Sequence, residues 1–204
     1  MRIMKIIVLG ATGTIGVEVA KALSLNKHEV VRASRNGDVR VNLDDTASVR
    51  AVFEKIRDVE AMISCAGNAA FKPFADLTDA DYELGLRSKL MGQVLLARMA
   101  KDHLRDGGSI TLTTGSLAMH PMPGSASISM VNAGLEGFVR AAALEMPRKL
   151  RINAVSPPWV KETMVKLGMD PTPGLASADV AKAYVAAVEG SHQGKILDPR
   201  WLEN

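Results

Sequence analysis

Three glycines near the N-terminus have the spacing of a turn that holds a phosphate group. In the segment VLGATGTIGVEVA, Gly10, Gly13 and Gly16 follow one another at intervals of three residues. An apolar run precedes them and a segment of helical periodicity follows, the context in which such spacing is informative. Glycine lets the backbone approach a pyrophosphate, and the start of the next helix offers free N–H groups. The pattern predicts a dinucleotide-binding turn, with a tight turn that binds nothing as the alternative. The predicted contacts also include Thr12, Thr14 and Ile15.

The end of the second predicted strand indicates which dinucleotide binds. A site for NAD(H) normally carries an Asp or Glu there, about 20 residues after the glycine loop begins, to bind the ribose 2′-hydroxyl. The segment VVRASRNG instead offers Ser34 and Arg35, and no acid. An arginine fork pairs with a 2′-phosphate, which a carboxylate would repel. The sequence predicts NADP(H) with Arg35 as the main contact; the alternative is that Arg35 is a solvated turn residue.

Apolar runs of strand length alternate with helical segments along the chain, and this alternation predicts the fold. Strands are predicted at 3–10, 28–34, 60–67, 107–116, 151–157 and 194–198. Helices are predicted at 13–25, 46–58, 79–104, about 129–146 and 178–190. Regular alternation is typical of a parallel sheet covered on both faces by helices. We expect one doubly wound, Rossmann-like α/β domain over residues 1–204, with a mostly parallel sheet of about seven strands.

The composition narrows the class of partner. Hydrophobic residues make up 47% of the chain and charged residues 23%, as in an ordinary globular protein. The basic residues, net charge +3, are scattered among acids, which argues against nucleic-acid binding. No apolar run reaches the ~18 residues of a membrane span, no signal peptide is recognised, and no metal site is predicted. The single Cys65, expected in the core, excludes an internal disulfide and fits a cytoplasmic location.

Further motifs follow the glycine loop in a fixed order. They are SCAGNAAF (64–71), LTTGS (112–116), NAGLEGF (132–138) and RINAVSPPWV (151–160). Together with the glycine loop, this series resembles the short-chain dehydrogenase/reductase family over nearly the whole chain. The resemblance implies that Ser116 polarises a substrate carbonyl and that cofactor contacts come from Asn42, Ala66, Gly67, Pro157 and Thr163.

The sequence departs from that family where proton transfer is expected. The family normally carries Tyr-x-x-x-Lys on the helix after the LTTGS motif, with the Tyr hydroxyl moving the proton. Here Ile128 and Asn132 stand at those positions. Ile128 has no proton to give, whereas Asn132 can still hydrogen-bond to ribose hydroxyls. The usual proton relay is therefore absent.

Two other residues are candidates for the missing proton donor. Lys89 lies where the family usually presents an Asn, whereas Asn132 lies where the family has its Lys. The pocket would therefore keep one cation, at a different position. If Lys89 is buried, its pKa falls toward neutrality and it can act as a general acid or bind an oxyanion. The alternative is that the aliphatic part of the Lys89 side chain packs against the protein while its ammonium group reaches water. His120, four residues after Ser116, is the second candidate, with a surface position as the alternative.

The helix near 129–146 is apolar on almost all sides, which predicts a homodimer packed through it and through the helix at 83–104. The favoured function is an NADP(H)-dependent oxidoreductase acting on a small carbonyl or alcohol substrate. The alternative is an inactive NADP(H)-binding sensor or dimeric interaction protein, because a fold does not guarantee activity.

Overall fold

Seven parallel strands form one sheet in the order β3-β2-β1-β4-β5-β6-β7. A computed structural model describes residues 2–37 and 39–201. The strands are β1 (Lys5–Leu9), β2 (Glu29–Ser34), β3 (Val39–Arg40), β4 (Ala61–Ser64), β5 (Ser109–Thr113), β6 (Arg151–Val155) and β7 (Ile196–Leu197). The predicted parallel sheet and its doubly wound fold class are confirmed, including the number of strands.

Helices cover both faces of the sheet. They are α1 (Thr14–Leu25), α2 (Thr46–Lys55), α3 (Asp79–Gly85), α4 (Gly92–His103), α5 (Ala126–Ala142), α6 (Lys161–Lys166) and α7 (Ser177–Glu189). Successive side chains of β1 point to opposite faces, so Ile6 and Val8 pack with α1 and α7, whereas Ile7 and Leu9 pack with α2, α4 and α5. This burial on both sides explains the nearly continuous apolar strands.

The chain reverses its direction of travel across the sheet between β1 and β4. From β1 it moves outward to β2 and β3, and from β4 it moves the other way to β5, β6 and β7. The turns that leave β1 and β4 therefore diverge and open a crevice at the carboxyl edge of the sheet, where ligands bind in folds of this type. The backbone N–H groups of Gly10 and Cys65 anchor the two turns, to Ala33 O and Leu9 O.

Several predicted boundaries are corrected. The helix predicted at 79–104 is divided, because residues Leu86–Met91 form a π-helical turn between α3 and α4. The helix predicted to reach 146 ends at Ala142, after which Leu144 and Glu145 make tighter i→i−3 bonds before Pro147. The two-residue β3 and the six-residue α6 were not predicted. Across the described residues, no helix is both long enough and apolar enough to cross a membrane.

Candidate active site

A continuous cleft runs along the carboxyl edge of the sheet. Its outer part lies between the glycine loop and the ends of β2 and β3, and its inner part lies between β5, α5 and the chain after β6. The two parts share Cys65, Ala66 and Gly67 as a common wall. The cleft therefore has the extended, two-part shape that a dinucleotide with a neighbouring substrate requires.

The glycine loop forms the floor of the outer part for steric reasons. Gly10 has φ +77°, and a Cβ there would lie 2.9 Å from the backbone carbonyl of Cys65. A Cβ on Gly16 would lie 2.1 Å from Gly10 O, so the start of α1 packs directly on the loop. Gly13 caps α1 without a side-chain hydrogen bond, and the first turn carries no acid. The N–H groups at this helix end are thus available to an anion.

The outer part also contains the residues predicted to bind the adenosine end. Ser34, Arg35 and Asn42 line it, together with Asn36 and Asp44. The Ser34 side chain is buried, and its hydroxyl has no hydrogen-bond partner among the described residues. A buried hydroxyl without a partner costs free energy, so this group is suited to a ligand atom. The Arg35 side chain is exposed at the rim.

Lys89 is buried in the inner part, with only 8% of its surface exposed. Its Nζ donates to Thr114 O at 3.2 Å and to Thr113 O at 3.4 Å. Burial lowers the pKa of Lys89 from its ordinary 10.5 to about 8. The head of Lys89 therefore lies within the cleft, which contradicts the alternative of a stem that packs while its ammonium reaches open water.

The π-helical turn explains how a lysine reaches this position. Gly67 has φ +135°, and a Cβ there would lie 3.0 Å from Lys89 Cα, so this glycine lets the turn approach the end of β4. Gln93 ties the turn to β5: its Nε2 donates to Lys89 O at 3.0 Å and to Thr113 O at 2.9 Å. Its Oε1 accepts from Thr113 N at 2.8 Å. Such turns are frequent at functional sites, and this one fixes the base of the Lys89 side chain.

Ser116 and Asn132 face the same inner part of the cleft. Ser116 begins a short 3₁₀ turn, and its N–H donates to Pro157 O at 2.8 Å, which joins the loops after β5 and β6. Asn132 is 1% exposed; its Nδ2 donates to Gly115 O at 3.4 Å, while its Oδ1 has no partner among the described residues. Asn132 Oδ1 is thus a second buried polar atom in the cleft that lacks a partner.

The remaining predicted site residues divide into two groups. Ile15, Pro157 and Thr163, which are predicted to contact the cofactor, line the inner part, and so does Ile128. Three other predicted residues lie outside the cleft walls, namely Thr14, Gly16 and His120. His120 is exposed, and the loop after Ser116 turns its backbone N–H back to Ser116 O at 2.8 Å.

Among the described residues that line the cleft there is no tyrosine. Tyr184 is fully buried on α7, where its hydroxyl lies 2.7 Å from Thr113 Oγ1. Burial is the main cause that raises the pKa of Tyr184 well above its ordinary value. Cys65, expected in the core, lies instead on the shared wall of the cleft and is partly exposed. Its thiol stays protonated, because desolvation raises the pKa of Cys65 to about 12.

Two contributions to the site carried no sequence signal. Lys166 on α6 donates through Nζ to Thr14 Oγ1 at 2.8 Å, which brings a cation to the glycine loop across 152 positions of sequence. Thr114, beside Lys89, donates through Oγ1 to the buried Glu136 at 3.3 Å, and Arg140 pairs with the other carboxylate oxygen of Glu136 at 3.0 Å. A contact between residues so distant in sequence becomes visible only in the fold.

A parallel sheet with this strand order, a glycine turn at the carboxyl end of its first strand and a two-part cleft define a dinucleotide-binding protein of the Rossmann type. Residues 10–188 match the family model described as enoyl-(acyl carrier protein) reductase. The chain belongs to the short-chain dehydrogenase/reductase family.

Known proteins similar to the chain include two solved structures and a fungal reductase. The protein lin1944 from Listeria innocua is 37% identical, with a TM-score of 0.89 over 96% of this chain and 98% of that one. A small-chain dehydrogenase in complex with NADPH is 28% identical, with a TM-score of 0.84 over 97% and 96%. Hydroxynaphthalene reductase-like protein Arp2 from Metarhizium brunneum is 30% identical over 64% of this chain. The match spans 51% of that relative, about half its length.

Proposed function

We propose that the protein is an NADP(H)-dependent oxidoreductase that acts on a small carbonyl or alcohol substrate with Lys89 and Ser116 in place of the usual proton relay. The observation that carries this proposal is the buried Lys89 ammonium in the same inner cleft as Ser116. A cation buried without a carboxylate partner is costly, and such groups are concentrated at functional sites.

The residues that line the cleft suit a nicotinamide dinucleotide, and this fit does not depend on which reaction the protein catalyses. The α1 N-terminus and its glycines would hold the pyrophosphate, with Lys166 above Thr14 as a further cation. Of the four buried side-chain polar atoms without a partner among the described residues, Ser34 Oγ lies in the outer part of the cleft and Asn132 Oδ1 in the inner part. Their positions suit the adenosine phosphate and the ribose hydroxyls. When bound, the nicotinamide supplies or accepts the hydride.

The preference for NADP(H) over NAD(H) rests on charge at the end of β2. Arg35 lines the outer cleft directly after β2, and Asp44, which follows β3, is the one carboxylate among the described residues of that wall. A guanidinium binds a phosphate through two parallel hydrogen bonds, which the 2′-hydroxyl of NAD(H) cannot offer. The NADPH named in the complex of a 28% identical dehydrogenase is consistent with this choice.

In the reducing direction, the side chains hold the carbonyl and move one proton. The Ser116 hydroxyl would donate a hydrogen bond to the carbonyl oxygen and so polarise it. Lys89, whose pKa is lowered to about 8, holds a proton at neutral pH and would give it to the oxygen as negative charge develops. Asn132 would accept a hydrogen bond from a ribose hydroxyl and orient the cofactor.

A second function is favoured by Ile128. Its side chain lines the inner cleft, and the sequence resemblance implies a tyrosine at this position, so the protein could instead bind NADP(H) without turnover and serve as a redox sensor or interaction protein. That function predicts dinucleotide binding and a difference in stability between the NADP⁺ and NADPH complexes.

Consumption of NADPH, followed by its absorbance with a panel of aldehydes and ketones, separates the two functions. The oxidoreductase predicts turnover that depends on both NADPH and a carbonyl, and that falls about 10²–10⁴-fold in Lys89→Met, the usual contribution of a general acid. Lys55→Met, which removes an exposed lysine on α2, is the control. Turnover that survives Lys89→Met would exclude the proposed role, and binding without any turnover would favour the sensor.

A further inference from the structure

An aromatic residue of the inner cleft, Trp159, is in contact with a second one, Phe71, that lies outside the cleft walls. Phe71 and Trp159 pack edge to face, with ring centroids 5.4 Å apart and an interplanar angle of 88°. Trp159 Nε1 donates to Met122 Sδ at 3.4 Å, so the indole is held from a second side. The three residues come from the loops after β4, β6 and β5, and Trp159 itself lines the inner cleft.

The aromatic pair is held in place by the loops and not by the core. Lys72 N donates to Gly124 O at 3.0 Å, which joins the loop of Phe71 to the loop of Met122. Phe71 and Met122 nevertheless expose 38% and 39% of their surface. Large apolar side chains held open to solvent beside a cleft mark a surface that a ligand covers.

Besides Trp159, the inner cleft has several apolar lining residues. They include Leu117, Ile128 and Pro158. Among the described residues that line the inner cleft, Lys89 is the only side chain that carries a charge. A carboxylate substrate would compete for the ammonium that the carbonyl needs and would find no arginine to replace its hydration.

We infer that the substrate is an uncharged aromatic carbonyl compound, or the corresponding alcohol. Its ring packs on Trp159, whose indole Phe71 holds in place, and its carbonyl oxygen points to Ser116 and Lys89. An aromatic ring gains interaction energy from contact with these aromatic residues in addition to the energy of the area that it buries. A saturated ring of similar size lacks this additional energy. This inference rests on the proposed function, because the carbonyl is assigned to the Lys89 end.

Three matched probes test the class of substrate. Acetophenone is the uncharged aryl ketone, methyl cyclohexyl ketone is its saturated counterpart, and phenylglyoxylate is the charged aryl counterpart. With saturating NADPH, kcat/KM for acetophenone should exceed that of each of the others by about tenfold, which is near the upper end of what an aromatic contact contributes and a modest effect for an uncompensated charge. A preference for the saturated ketone or for the keto acid would overturn the inference and leave the oxidoreductase proposal standing.

Substitution of the pair tests the same claim on the protein. Trp159→Leu and Phe71→Leu keep apolar volume and should lower kcat/KM for acetophenone about tenfold while changing that of methyl cyclohexyl ketone less than about threefold. Trp159→Phe should restore most of the preference. Trp201→Leu, which changes an aromatic residue that is 77% exposed and lines neither part of the cleft, is the matched control. Equal losses for both ketones would mean a merely structural role and would overturn the inference.

A binding measurement keeps this test separate from turnover. Saturation-transfer NMR of acetophenone with the NADP⁺-loaded protein should show contact to the phenyl protons that Trp159→Leu removes and Trp201→Leu retains. If that contact is present while no carbonyl is turned over, the aromatic site stands and the proposed reaction fails. If the phenyl protons show no contact in the unsubstituted protein, the inference fails.

Discussion

Replacement of Lys89 by methionine should remove a rise in the free energy of unfolding between neutral and alkaline pH, because it removes a buried group that is charged only at the lower pH. The pKa of Lys89 is lowered from 10.5 to about 8 by burial, and each pKa unit corresponds to about 1.4 kcal/mol. Below pH 8 both the folded and the unfolded protein carry the proton, and the folded state bears the full cost of burying it. Between pH 8 and 10.5 the folded protein has released this proton while the unfolded chain retains it, so stability rises with pH.

The magnitude follows from the same two pKa values. Between pH 7 and pH 10 the unsubstituted protein should gain about 2–3 kcal/mol in free energy of unfolding relative to Lys89→Met. Thr113 O keeps its bond from Gln93, but Thr114 O loses the donor that Lys89 provides, which costs about 1–3 kcal/mol at every pH. The change of the difference with pH is therefore more informative than its value at one pH.

Urea denaturation of both proteins at pH 7, 8, 9 and 10 measures this change. Lys55→Met is the control for the loss of one positive charge. A difference between Lys89→Met and the unsubstituted protein that stays constant across these pH values would show that the ammonium is not buried, and the reasoning about the inner cleft would fail.

Three further substitutions test the cofactor site and the predicted assembly. Arg35→Ala should raise the Kd for NADPH about 10–100-fold in calorimetry and leave that for NADH within about twofold, because only NADPH has the 2′-phosphate; equal effects would refute the preference. Lys166→Ala should weaken both dinucleotides several-fold, more at low salt, because Lys166 Nζ lies 2.8 Å from Thr14 Oγ1 at the start of α1, where we propose that the pyrophosphate binds; unchanged affinities would remove that role. Gly137→Arg places a charge on an open face of α5, where a Cβ meets nothing within 4 Å. It should convert a dimer to a monomer in light scattering, whereas a monomeric unsubstituted protein at micromolar concentration would contradict the predicted dimer.

The fold could be predicted because its signals are local. Apolar strands such as β1, buried on both faces, end at glycines, and each predicted strand coincides with one of the observed strands. β3 escaped prediction because two residues carry no periodicity, and its strand character comes from pairing with β2. The break between α3 and α4 was not predicted because it depends on tertiary contacts. Gly67, remote in sequence, leaves room for the π-helical turn, and Gln93, on the next turn of the helix, bonds to it.

The candidate site was predictable where the backbone determines it and less so where side chains do. The glycine loop combines a strand, a turn and a helix start, so the sequence pattern could predict that Gly10 and Gly13 line the cleft. Whether Lys89 was buried depended on the path of its helix, and whether His120 entered the cleft depended on a loop. The link between Lys166 and Thr14 arises from tertiary packing, as does the pairing of Phe71 with Trp159.

The pH profile of NADPH-dependent carbonyl reduction tests the central claim most directly. The account predicts that kcat/KM is constant from about pH 6 to 7.5 and falls about tenfold per pH unit above about pH 8, as Lys89 loses the proton that it must donate. Lys89→Met should have a low rate without this decline. A rate that stays level to pH 10 in the unsubstituted protein, or the same decline in Lys89→Met, would contradict the account.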